Sequence, residues 1–261
     1  MSPSEDITRT YLNIRGYARQ IVSRYPSPDF YIDHPEANAL SKHCFDFDPV
    51  IRDLRRWVTG EIRNDLGHGL DHAVKVSLDA GALICIECRR AGFSEAYLQN
   101  RIRVVQCAGL LHDIRRMEAD HAAAGACHAR KVLAPYALCP DEIGDICQAI
   151  QDHEAFQDRV PVNTAEGRLV SNCLYDADKF RWGPDNFADT VWKMVIAAQI
   201  PLSRFIEKYP KGMERISRVK ETFRSRTGRI YGPRFIDLGL AIGKDLYRVI
   251  QEEFAHVTGC P

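Results

Sequence analysis

The chain has 261 residues, 45% of them apolar and 27% charged, and its 35 Lys and Arg balance 35 Asp and Glu. That length can bury a sizeable core, while zero formal net charge gives no global electrostatic pull towards nucleic acid or an anionic membrane, so only local basic clusters could attract either. The first residues lack a basic region followed by an apolar one, and apolar runs such as Ala82 to Ile86 fall far short of the about 20 residues that cross a bilayer, so a cytoplasmic protein is expected.

Helical periodicity dominates and no period-2 run reads as a strand, so the expected fold class is all-α. Residues 7–24 read as an N-terminal helix. The Pro- and aromatic-rich passage from Tyr25 to Asp48 reads as an irregular loop with a short helix, and its His34 and His43 as surface or loop histidines. A helix from Pro49 to about Asp65 ends at Gly67-His68-Gly69. The next, Leu70 to Arg90, sets His72, Val76, Ala80 and Leu83 on one face. Its Cys85 and Cys88 have a C-x-x-C spacing but no second pair follows, and the nine cysteines overall read as reduced core residues.

Residues 95–112 form another helix, with Val105, Ala108 and His112 aligned. A charged link leads to a helix from about His121 to Leu133, with Asp120 as its expected N-cap. After Pro135, Pro140 opens a helix on which Ile143, Ile146, Ile150 and His153 share a face. Residues 165–180 follow, with Val170, Leu174 and Asp178 in line. Helices near 186–199 and 201–208, a basic loop from Arg224 to Arg234, and a helix from about Phe235 to Phe254 complete the chain.

His72, His112, His153 and Asp178 thus each continue an apolar stripe near a helix end. Burying such a group unpaired costs about 1–3 kcal/mol, more for a charge. One instance reads as a satisfied core residue; four together read as donors around a shared metal. Asp113 follows His112 directly, at the polar end of the apolar run Val104 to Leu111. Asp176 and Asp178 point about 200° apart on a helix, so only one reaches such a centre. The stripe favours Asp178, and Asp176 shares a partly apolar face with Leu169 and Cys173.

On these residues the sequence resembles the HD superfamily of metal-dependent phosphohydrolases, whose order is a His, a His-Asp pair and a distant Asp. The matches are His72, His112-Asp113, and Asp178 in Tyr175-Asp-Ala-Asp178-Lys-Phe. The resemblance covers roughly residues 60–190. It extends to His121 and to His153, which look like the extra histidines of members that hold two metals. It implies an HD-domain helical bundle at 60–190, an N-terminal helical extension at 1–59 packed on that core, and C-terminal helices at 191–261 completing the same globule. Relative to the HD-GYP subgroup, which degrades cyclic dinucleotides, Asp152 stands where a paired histidine would be and the Gly-Tyr-Pro signature is absent. Cyclic dinucleotides are therefore not the expected substrate.

The expected metal ligands are His72, His112, Asp113 and Asp178 for one ion, with His121 and His153 for a second that Asp113 would bridge. His128 is assigned to the core or to a supporting position, and His68 to the mouth of the site. Mixed nitrogen and oxygen donors suit Mn, Fe, Co, Ni or Zn. Arg115, Arg116 and Lys179, next to the ligands in sequence, are the expected phosphate contacts, and Glu154 the residue that orients a ligand or water. The expected activity is hydrolysis of a nucleotide or other small phosphate ester, as a phosphomonoesterase or phosphodiesterase, with no strong nucleic-acid signal and no membrane partner. Two competitors remain: a regulatory module that binds metal and nucleotide without turnover, its metal structural, and a diiron HD-type oxygenase, since some HD-fold proteins with a four-His, two-Asp set hold two irons and this sequence has those residue types.

Overall fold

The computed structural model describes residues 3–61, 69–158, 161–162 and 164–254. Among these no strand occurs, and the chain is all-α. It opens with α1 (Pro3–Val22), a short α2 (Asp29–Asp33), α3 (Pro35–Phe47) and α4 (Pro49–Glu61). The expected continuation of α4 to Asp65, with Gly67 and His68, lies outside the described residues. Then come α5 (Leu70–Arg90), α6 (Glu95–Leu111), α7 (His121–Leu133), α8 (Pro140–Gln151) and α9 (Ala165–Phe180). A π turn at Asn186–Thr190 leads into α10 (Val191–Ala197), followed by α11 (Leu202–Arg218), a 3-10 turn at Val219–Glu221 and α12 (Arg226–Glu253). No helix among the described residues is long and apolar enough to cross a membrane.

Helix starts follow local chemistry. Ser94, Thr164 and Ser225 each accept a backbone N–H three residues on, from Tyr97, Gly167 and Gly228. Pro140 stands in the first turn of α8, where Glu142 accepts the Cys139 N–H at 2.7 Å. Asp120 holds the N-cap position of α7 but makes no side-chain cap bond there.

Two segments depart from the sequence reading. The passage expected as a loop before Asp48 is largely α3. Pro35 starts it, and Ala37, Ser41 and Phe45 form a buried stripe at steps of four. The stripe contains a serine and an alanine, so apolar periodicity alone understates it. His43 is exposed on this helix, and His34 packs on the Phe30 and Tyr231 rings between α2 and α3. The expected basic loop at Arg224–Arg234 is also corrected: α12 begins at Arg226 and continues through Pro233. Its first buried face is built from small residues, Thr227, Gly228 and Gly232, where a bulkier side chain would collide. A Cβ on Gly228 would lie 2.0 Å from the Asp176 carboxylate. Finally, the helices expected near 186–199 and 201–208 resolve into the π turn plus α10, and into an α11 that runs on to Arg218.

α5 and α6 cross at the centre, with α3 on one side and α8 and α9 on the other. They meet at Gly109, where an added Cβ would stand 2.7 Å from the Ser77 Cα and 2.9 Å from its nitrogen. The C-terminal half of α6 is buried on all sides, as a central helix must be, and ends at His112. Cys85 and Cys88 are buried free thiols, and burial pushes Cys88 up to about 11. α1 packs on the C-terminal helices through the Tyr11, Trp192 and Phe205 rings, while Arg15 and Arg19 hold Asp189 at 2.6 and 2.7 Å.

Candidate metal centre

Five helix ends converge on one buried point. α5 brings His72 in its first turn, α6 ends at His112-Asp113, α7 begins at His121, α8 is followed by His153, and the last turn of α9 carries Asp178. All six side chains are buried.

Asp113 sits between two groups of imidazoles. Its Oδ2 lies 3.5 Å from His112 Nε2 and 3.8 Å from His72 Nε2. Its Oδ1 lies 3.5 Å from His153 Nε2 and 3.6 Å from His121 Nε2. Asp178 Oδ1 completes the first group, 3.2 Å from His72 Nε2 and 3.8 Å from His112 Nε2. The two clusters, His72–His112–Asp113 and Asp113–His121–His153, therefore share one carboxylate.

The ring orientations are fixed from behind. His112 Nδ1 lies 2.8 Å from the Gly109 carbonyl and His153 Nδ1 2.6 Å from the Ile150 carbonyl. A carbonyl only accepts, so each Nδ1 carries the proton and each Nε2 presents a lone pair to the centre. Two donors bound to one ion at about 2.1 Å stand about 3–3.5 Å apart. The donor spacings here, 3.2 to 3.8 Å, and the mixture of imidazole nitrogen and carboxylate oxygen fit a divalent transition metal.

Electrostatics favour the neutral form at His72 and His121 and the ionised form at Asp178. Burial pushes His72 down to about 4, against the pull of Asp178 and Asp113, so it is neutral near pH 7. Burial also lowers His121, helped by Arg116 and His153. Burial acts to raise Asp178, but Lys179, His72 and His112 hold it well below the usual carboxylate range. His112 is lowered by burial, yet Asp113, Asp178 and the Gly109 carbonyl together leave it above its ordinary value.

The residues expected to contact phosphate are separated by the structure. Lys179 is buried and pairs with Asp178 Oδ2, its ammonium 5.0 Å from the Tyr175 ring centre. Arg116 reaches to 2.9 Å from His121 Nε2 and 3.5 Å from Asp113 Oδ1. Arg115 points elsewhere, to His128 at 2.9 Å, and His128 packs near Trp57 away from the clusters. Glu154 stands 3.7 Å from His121 Nδ1. Asp176, although buried, is engaged by the Arg224 and Ser225 backbone N–H groups at 2.8 and 2.7 Å.

A cavity of about 400 Å³ opens over the clusters. His72, Asp113, His153 and Asp178 form its floor, Arg116 and Lys179 its charged side, and Trp182, Met194 and Ile216 an apolar wall. Sequence reasoning missed that wall, although Trp182 follows Lys179 closely enough to have been a candidate. The sequence also leaves open the role of the basic segment from Arg224, whose guanidinium lies 3.5 Å above the Tyr175 ring and bonds both the Asp152 carboxylate, at 2.6 Å, and its carbonyl. That bond spans 72 positions and joins the residue before His153 to the start of α12.

No family model matches the chain, and no curated protein sequence does. Among solved structures, it matches a crystal structure described as a predicted HD superfamily hydrolase from an uncultured Thermotogales bacterium. The identity is 21%, over 80% of this chain and 91% of that one, with a TM-score of 0.41.

Proposed function

We propose that the chain is a metal-dependent phosphohydrolase of the HD superfamily, acting on a nucleotide or another small phosphate ester. The observation that carries this reading is Asp113, one carboxylate facing two imidazole pairs through its two oxygens. His72, His112, Asp113 and Asp178 would hold one ion, and Asp113, His121 and His153 a second. Bound there, divalent metal lowers the pKa of water and neutralises charge on phosphoryl oxygens. Segment 60–190 is the proposed catalytic core, with the flanking helices completing the cavity.

The chain's own groups do the remaining work. Arg116 and Lys179 bring two cations to one side of the cavity, where a phosphate anion would replace part of their present pairing with carboxylates. Lys179 is held in place by the Tyr175 and Trp182 rings, so its ammonium is positioned before substrate arrives. Trp182, Met194 and Ile216 exclude water from one side and offer a flat apolar face to the organic part of the ester. Metal analysis of the purified protein, combined with a panel of nucleotides and phosphate esters, tests the reading. Phosphate or nucleoside release that chelation abolishes is expected. Oxygen consumption without ester cleavage would replace this reading with oxidation, and metal binding without either reaction would leave a regulatory module.

Arg224 has a defined expected effect in this scheme. It fixes Asp152, and through it the backbone that sets His153. Arg224→Gln is expected to weaken binding of the second ion about 10–100-fold, the usual effect of losing a group that orients a ligand, while the ion beside His72 stays. Metal stoichiometry titrated in the variant checks this. Equal loss of both ions would mean that Arg224 supports the fold generally.

A further inference from the structure

One face of α11 is a row of cations. Arg204, Lys208, Lys211, Arg215 and Arg218 follow one another at steps of four, three, four and three, so they form a single exposed stripe. Among the described residues, none of the five forms an ion pair with a carboxylate, and Glu207 and Glu214 fall along one flank. From Arg204 to Arg218 the stripe runs about 21 Å at the rise of an α-helix.

The stripe leads somewhere. Arg215 lines the cavity over the metal ligands and also a second, open cavity of about 620 Å³, where Lys208, Lys211 and Arg218 outnumber one carboxylate, Glu214. Phe156 lines this second cavity, one residue beyond Ala155 of the first; it is exposed at 40% and held at φ 65°. That backbone region is unfavourable for a bulky side chain and persists where surroundings enforce it. Its ring is flanked by the Arg215 and Arg218 guanidinium groups at 5.7 and 5.2 Å.

We propose that α11 and Phe156 form a track for single-stranded nucleic acid, delivering one end of an oligonucleotide to the metal centre. The proposal rests on the phosphohydrolase reading of that centre and names its substrate class. A row of unpaired cations beside an exposed aromatic ring is the chemistry by which proteins hold unpaired strands: charge follows the phosphates and the ring stacks a base. The stripe's length matches roughly three to six nucleotides of one strand. A duplex offers no free base face to Phe156, and a 400 Å³ floor cavity accommodates one terminal nucleotide rather than paired strands. A membrane surface would instead call for several large apolar side chains among the cations, and Phe156 stands alone. In the reaction, a water oxygen bonds to the terminal phosphorus. The bond from that phosphorus to the ester oxygen of the adjoining nucleotide breaks, and the departing oxygen takes up the proton that the water gives up.

The test is fluorescence anisotropy of a labelled 12-residue oligouridylate with the full chain, metal chelated, over a range of salt concentrations. The expected slope of log affinity against log salt is about −3. The triple variant Arg204→Gln, Lys208→Gln, Lys211→Gln is expected to shrink it in magnitude by about 2, at about 0.7 for each phosphate no longer neutralised. Phe156→Ala is expected to weaken binding about tenfold, as removing the partner of one stacked base does. With metal restored, the triple variant should cleave bis(p-nitrophenyl) phosphate at the parent rate and lose release of nucleotides from the 12-mer. The proposal is overturned if the 12-mer binds no more tightly than uridine monophosphate or if the triple variant binds it unchanged. It is overturned equally if phosphatidylserine vesicles are bound while the 12-mer is not. If no ester is cleaved by the parent protein, the function proposed for the metal centre fails while anisotropy still decides the track.

Discussion

Asp113→Ala is expected to empty both metal positions at once and to lower phosphate-ester hydrolysis about 10³-fold or more, a loss of several kcal/mol of transition-state stabilisation. The reason is geometric. Each histidine faces one cluster, whereas Asp113 presents one oxygen to each. Removing His72 should therefore leave the ion held by His121 and His153, while removing Asp113 takes an anionic donor from each group and leaves His72, His112 and Asp178 on one side and His121 and His153 without a carboxylate on the other. Asp113→Asn separates charge from shape, because the amide keeps the volume and one oxygen but loses the negative charge between the rings. It should bind metal more weakly than the parent and recover part of the activity at raised metal concentration. Elemental analysis and turnover measured in the same preparations check these outcomes. Retention of two ions per chain in Asp113→Ala would refute the bridging role.

Gly109→Ala should disrupt the crossing on which the candidate site is built. Its Cβ would stand 2.7 and 2.9 Å from backbone atoms of Ser77, and helix backbone cannot step aside as a side-chain tip can. Relief requires α5 and α6 to separate, with an expected stability loss of about 2–3 kcal/mol. The same shift carries His72 away from His112, now 3.2 Å apart at their Nε2 atoms. It also disturbs the Gly109 carbonyl that sets the His112 ring. Metal affinity should fall together with the unfolding midpoint, and thermal melts with and without added Mn²⁺ measure both. A variant that melts like the parent would show that the crossing has slack that these distances do not suggest.

How much of this was legible in the sequence depended on the range of the forces involved. The helices Leu70–Arg90 and Ala165–Phe180 could be read because periodicity and end residues are local. The convergence of His72, His112, His153 and Asp178 was legible because each interrupts an apolar stripe, and a stripe must face the core. α3 was harder to see, since its buried face relies on Ser41, which donates to the Leu78 carbonyl at 2.7 Å and accepts from Gln106, partners that no local window contains. Arg115 and Arg116 are neighbours in sequence, but the turn after α6 aims one at His128 and the other at His121. Adjacency gave no direction. The start of α12 was misread for a related reason: its glycines look like loop residues until Asp176 and Phe223 are placed against them.

The link between Arg15 and Asp189 has a consequence for the order in which the protein becomes competent. Those residues lie 174 positions apart, and Asp189 belongs to the π turn whose Asn186 and Thr190 line the cavity. The donor atoms all come from 72–178, a stretch that a ribosome finishes before most of the cavity roof is made. Contacts between distant segments form late, after the entropy of closing a long loop has been overcome. The nascent chain can thus assemble its ligand cluster early, and gains a roofed chamber only when its first helix meets residues near its end. The donor cluster and the chamber above it are in this way completed by different parts of the chain.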